Sequence, residues 1–220
     1  MFGKKKVAMI LAEFLGTGVL TLVVLAVAKS TIGLPYFVDI AAGLTIATMT
    51  VVFAKTSGAH FNPAITLGLW SARQIKTVTA VVYVAVQLLG GICAYWLYTY
   101  FSGSHWANSG HFNAKIMVAE AVGTLIFSFG WATAVYQKLE VSRAAFAVGA
   151  ALTLGAIVAS AASIGFLNPA VALGARQWGW GTYVLGPVLG SVVGFNLYAL
   201  LFAERTPGNK PPLKTNKKKS

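Results

Sequence analysis

The chain has 220 residues, but hydrophobic residues at 57% and charged residues at 10%, with a mean hydropathy of +0.71, exclude a water-soluble globule. The formal net charge is +12, yet the cations gather at the ends, at Lys4, Lys5 and Lys6 and at Lys210, Lys214, Lys217, Lys218 and Lys219, which suits lipid-facing tails and excludes a nucleic-acid partner. Five acidic residues, three histidines and the single Cys93, expected to pack within an apolar run, are too few for a catalytic centre or a metal site. No enzyme activity, cofactor or metal is therefore expected.

The apolar residues fall in long blocks and do not alternate, which points to membrane helices and excludes a transmembrane barrel. Six blocks are long enough to cross a bilayer: 7–28, 37–54, 78–101, 116–136, 144–163 and 182–203. The first resembles a signal peptide in its leading lysines and Ala26-Val27-Ala28, but its length and the internal Glu13 mark it as a retained span. An even number of spans puts both ends on one side. With the ends cytoplasmic, the inner loops hold Lys55, Arg73, Lys76, Lys138 and Arg143 and the outer loops only Lys29, Lys115 and Arg176, as the positive-inside rule requires. Residues 1–6 form a short N-terminal tail on this reading, 7–203 the membrane domain, and 204–220 a disordered cytoplasmic tail.

Two further apolar segments, Pro63 to about Ser71 and Pro169 to about Trp178, are too short to cross. At 1.5 Å per residue each makes a helix of ~15 Å, half the hydrocarbon thickness, so both read as re-entrant half-helices.

The chain also repeats itself. Ala12-Glu13-x-x-Gly16-Thr17 recurs as Ala119-Glu120-x-x-Gly123-Thr124, offset by 107, and Asn62-Pro63-Ala64 recurs as Asn168-Pro169-Ala170, offset by 106. Each unit, about 7–101 and 116–203, has three spans, an odd number, so the second enters the membrane from the opposite face. Asparagine is a favoured N-cap and proline a favoured first helical residue, so both half-helices should start near the midplane and run outward in opposite directions. Irregular backbone at that depth implies a central pore or cavity, with the asparagine amides as donors and two positive helix ends opposing cations. Glycines within the spans, among them the Gly190-x-x-x-Gly194 pair, favour close helix packing.

The paired motifs His60-Phe61-Asn62-Pro63-Ala64 and Leu167-Asn168-Pro169-Ala170, with the two Ala-Glu-x-x-Gly-Thr starts, resemble the aquaporins of the major intrinsic protein family from about Val7 to Ala203. The resemblance implies an all-α membrane fold of six transmembrane helices and two half-helices, one pore per subunit, a homotetramer in the plasma membrane, and passive transport of water and small uncharged solutes. It also implies a scaffold role for Glu13 and Glu120, whose charge inside a span would cost about 2.5–3.5 kcal/mol without partners.

By the family's spacing, an outer filter of four residues falls on Ala42, Ala156, Gly165 and Val171. The fourth is normally arginine, and neither the water-pore nor the glycerol-pore pattern is present. A gate of four small apolar residues is expected to be wide and dry, admitting glycerol, urea or ammonia. Arg176 lies five residues past Val171, about 140° around a continuing helix, and is expected at the outer rim near Trp178 and Trp180. Asp39 either caps the second span or faces the outer vestibule. His60 either lines the pore as a pH-sensitive gate or holds its loop by a hydrogen bond. His105 and His111 lie in the outer loop without the spacing of a metal site. A secondary transporter, or an ion-leaking or junction-forming protein on the same fold, are the competing functions.

Overall fold

A computed structural model describes residues 3–30, 36–108 and 110–203, and the basic tail read at 204–220 lies outside the described residues. It is all-helical among those residues. The helices are α1 (Lys4–Ala28), α2 (Phe37–Ser57), α3 (Pro63–Ser71), α4 (Thr77–Ser102), α5 (Ala114–Tyr136), α6 (Val141–Ala159), α7 (Pro169–Gly174) and α8 (Gly186–Leu201). A π-helical turn, Trp180–Leu185, leads directly into α8. Six of these elements are long and apolar enough to cross a membrane, with Trp180–Leu201 counted as one. Helix α1 begins at Lys4, so the three lysines are its first turn and do not precede it as a tail.

The packing repeats in the order the sequence does. Helix α1 packs on α2 and α4, and α5 packs in the same way on α6 and α8. Helix α2 meets α6 across the centre. The half-helices cross over: α3 of the first unit lies on α8 of the second, and α7 of the second on α4 of the first. Each half-helix is therefore packed mainly against the other unit, although α3 also touches α4 of its own.

Both half-helices start and stop by the same local chemistry. Asn62 Oδ1 accepts from the Ala64 and Ile65 amides at 2.8 and 3.4 Å, and Asn168 Oδ1 from Ala170 and Val171 at 3.0 and 3.4 Å, each with proline next in the chain. At the other end Arg73 and Arg176 are left-handed, with φ of 59° and 57°. The amide of Gln74 then reaches Leu69 O at 2.8 Å and that of Gln177 reaches Ala172 O at 2.9 Å, so both helices close in a Schellman turn. The second turn comes early: α7 stops at Gly174, not near Trp178.

Close backbone contact fixes the crossover. A Cβ on Gly91 of α4 would stand 2.2 Å from the Ala170 carbonyl oxygen of α7. Because the obstacle is backbone, Gly91→Ala is expected to push α7 off α4 and cost about 1–3 kcal/mol. A lowered midpoint of thermal unfolding in detergent checks this; Gly110→Ala, where a Cβ meets nothing within 4 Å and φ is not left-handed, serves as the comparison for a glycine outside the contact.

Cys93 does not pack within the bundle. It is exposed on α4, beside Phe14, Leu15 and Leu97 along the α1/α4 groove.

Candidate functional site

The two loops before the half-helices carry the constraints that build the site. Phe61 and Leu167, the residues just before the motif asparagines, both have φ of 51°, and Ala59 and Gly165 have φ of 59° and 72°. A left-handed bulky residue costs about 1–3 kcal/mol and persists only where its surroundings enforce it. Here a buried carboxylate enforces it. Glu13 Oε2 accepts from the Phe61 amide at 2.8 Å and from Gln87 Nε2 at 2.8 Å, while Oε1 accepts from the His60 amide at 3.0 Å and Ser57 Oγ at 2.6 Å. Glu120 repeats the arrangement, accepting from the Leu167 amide at 2.7 Å, the Phe166 amide at 3.1 Å and Ser163 Oγ. The two serines each cap their own loop, Ser57 Oγ taking the Ala59 amide at 3.0 Å and Ser163 Oγ the Gly165 amide at 3.2 Å.

Gly16 completes the reason for the Glu-x-x-Gly spacing. One turn along α1 from Glu13, a Cβ there would lie 2.2 Å from the Phe61 ring, so the glycine makes room for the side chain whose amide the glutamate holds. Gly123 does the same for Leu167, at 2.7 Å from Cδ2.

The asparagines meet as the inverted repeat requires. Asn62 Nδ2 donates to Leu167 O at 2.8 Å and Asn168 Nδ2 to Phe61 O at 2.9 Å, so each side chain is tied to the opposite loop. An amide nitrogen carries two hydrogens. One is committed to the scaffold, which leaves one from each asparagine for the cavity that both line. Pro63, Ala64, Pro169 and Ala170 are buried behind them as the first turns of α3 and α7.

That cavity runs from the asparagine pair toward the face opposite the chain ends. Its wall is formed by Ala42, Gly165 and Val171 with Val38, Asp39, Leu152, Ile164 and Phe166, among others. Ala156 is buried beneath Gly165, its carbonyl 2.8 Å from where a Cβ on that glycine would lie, and Leu152, one turn earlier on α6, lines the cavity instead. The bulky Leu152, Ile164 and Phe166 line the same cavity as the small filter positions. The wall is thus largely apolar, with Asp39 as its one charged side chain and the two asparagines at its inner end.

Arg176 is not part of the wall. Because α7 has ended, its side chain turns toward α4, where Nη1 donates to Tyr95 Oη at 3.1 Å and the guanidinium lies 5.3 Å from the Tyr95 ring centre. Asp39 does line it. Its side chain makes no capping bond to α2, whose N-cap is Tyr36. His60 is buried, with Nδ1 3.2 Å from Thr66 Oγ1 and its ring edge-on to Tyr83 and Trp131, so the loop-holding alternative fits its contacts. Thr66 in turn accepts from Gln87 Nε2 at 3.0 Å, which joins His60 to the Glu13 network. Among the described residues no three His, Cys, Asp or Glu side chains group closely enough to hold a metal ion.

Sequence reasoning missed two parts of this arrangement. Gln87 offered no signal beyond being a lone amide in an apolar span. The paired loop ends did offer one, since Ala72-Arg73-Gln74 recurs as Ala175-Arg176-Gln177.

The family model of the major intrinsic proteins matches residues 3–198. The chain belongs to that family. It is 34% identical to aquaporin Z of Photorhabdus laumondii over 88% of this chain and 97% of that one. It is 30% identical to aquaporin AqpM of Methanothermobacter thermautotrophicus, over 76% of this chain and 77% of the relative. Among solved structures, the X-ray structure of the aquaglyceroporin from Plasmodium falciparum superposes with a TM-score of 0.73, at 23% identity over 89% of this chain and 96% of that chain, which supports the fold. The protein is an integral membrane channel of this family, and family members are channels, not enzymes.

Proposed function

We propose that the chain passes water and small uncharged solutes by passive diffusion, and that its outer gate selects by size and dryness without a fixed positive charge. The observation that carries this is the cavity itself, which joins two free asparagine N–H donors to a largely apolar wall in which Val171 stands at the position of the family's filter arginine. Ala42 and Gly165 share that wall, and Ala156 supports it from behind. A secondary transporter is not favoured, because the centre offers two amides and no ionisable group for coupling.

Both termini lie on the cytoplasmic face on this reading, which the distribution of loop lysines and arginines supports. Membership of the family supports a plasma-membrane location and a homotetramer. Exposed apolar residues such as Leu44 on α2 and Phe146 on α6 suit a second copy or lipid tails as neighbours. The described basic residues Lys4 and Lys5, exposed at the start of α1, suit anionic lipid headgroups.

Stopped-flow swelling of proteoliposomes tests the proposal. Water and ammonia are expected to pass fastest, urea more slowly and glycerol slowest, because the larger solutes must displace Leu152, Ile164 and Phe166. Leu152→Ala should then raise glycerol flux several-fold, by about 3-fold or more, since it removes a buried wall group without charging the gate. Equal exclusion of urea and glycerol by the native chain and by Leu152→Ala would count against selection at this wall.

A further inference from the structure

The wall of the outer cavity contains one charged side chain, Asp39, and the mechanism above does not use it. It is 4% exposed. Its Oδ2 accepts from Ser160 Oγ at 3.3 Å, and Oδ1 has no hydrogen-bond partner among the described residues. Among the described residues no cation compensates it: Arg176 is held by Tyr95, and Lys29 lies 5.2 Å from the Trp106 ring centre. A carboxyl left without a cation in an apolar wall is costly unless it serves the species that enters.

We infer that Asp39 is a recruiting site for small protonated amines, ammonium first, at the outer mouth, and that it keeps their proton there so that the neutral amine enters the pore. This rests on the passive-channel reading above and names one substrate class for it. Ammonium is water-sized and has N–H donors for the free Oδ1. At the carboxylate an N–H bond breaks and an O–H bond forms, the two charges cancel, and the amine is left neutral. It then moves past Ala42 and Val171, where a cation would lose its hydration with nothing in return.

Further in, the free N–H groups of Asn62 and Asn168 suit the lone pair of the amine and oppose a cation. Asp39 returns its proton to the water outside, so the net result is neutral amine carried inward and one proton left behind. An arginine at Val171 would have competed for the same carboxyl, and its replacement by valine leaves Asp39 free for a passing ligand.

The test uses proteoliposomes of the full chain carrying a luminal pH dye, with osmotic water permeability measured on the same preparation. On an ammonium or methylammonium pulse, entry of the neutral amine makes the lumen alkaline. For Asp39→Asn, the ratio of amine permeability to water permeability is expected to fall about tenfold, the effect of losing one charge-assisted hydrogen bond and its proton acceptor. Asp39→Glu should restore part of that ratio. External ammonium should also slow water flux through the native chain and not through Asp39→Asn, which reports occupancy directly.

An unchanged ratio in Asp39→Asn, or equal slowing by ammonium in both, overturns the inference. A native chain that conducts water but admits amines no faster than empty liposomes overturns it while the channel reading stands. Failure to conduct water, in vesicles shown to contain folded protein, overturns the channel reading and the inference with it.

Discussion

Glu13→Ala is expected to abolish water conduction and to destabilise the protein more than the equivalent change at Glu120. The carboxylate of Glu13 accepts from four donors, the His60 and Phe61 amides, Ser57 Oγ and Gln87 Nε2, and all four belong to buried residues. Each buried donor left unpaired costs about 1–3 kcal/mol, so the total is on the order of 4 kcal/mol or more, a large part of the stability of a typical domain. The left-handed Phe61 would relax once its amide is released, and with it the carbonyl that receives Asn168.

Glu120 holds three donors by comparison and has no counterpart of Gln87. Glu120→Ala should therefore cost less, by about 1–3 kcal/mol. Glu13→Gln, which keeps one acceptor oxygen but puts a donor against other donors, should fall between native and Glu13→Ala. Thermal unfolding in detergent gives the order, and stopped-flow water flux shows whether the pore survives. A Glu13→Ala protein as stable as the native one would mean that water replaces the carboxylate, and the scaffold role would be lost.

The difference between these two glutamates shows where sequence reading reaches its limit. The spans, the half-helices and the facing asparagines were legible because each rests on a local rule: about twenty apolar residues to cross, Asn-Pro to start a helix, an odd unit duplicated. That Glu13 and Glu120 support the loops was also expected, but their separate partner sets were not, since Gln87 comes from another helix 74 positions away. The same holds at the gate. Positions counted from the motif identified Ala42, Gly165 and Val171 on the cavity wall, whereas Ala156 fell behind it, because a left-handed Gly165 brings the loop over the α6 backbone. Counting small residues also left out Leu152, Ile164 and Phe166, which line the same cavity from α6 and the loop before α7. Arg176 does lie off the cavity wall and beside Trp178, although the 140° rotation assumed a helix that the Schellman turn had already ended.

Val171→Arg is expected to turn a neutral, size-limited gate into a charged one. Val171 is 2% exposed and sits in the wall that also holds Asp39. An arginine introduced there stays charged, which is costly in an apolar site without a partner, and Asp39 is the carboxyl within the same cavity. The pair would span the passage and narrow it, while the remaining guanidinium hydrogens would offer donors to a water oxygen. Urea and glycerol fluxes should therefore fall about tenfold or more, and water flux only about two- to threefold, because water alone fits and gains a donor. Amine entry should fall with the larger solutes, since Asp39 would then be occupied. Val171→Met serves as the control: it adds bulk without charge, so it should slow urea and glycerol but leave the amine-to-water ratio closer to the native value. Stopped-flow swelling with each solute, beside the luminal dye, separates the outcomes. If Val171→Arg and Val171→Met reduce all fluxes in the same proportion, the gate acts by volume alone and the charge at this position is irrelevant.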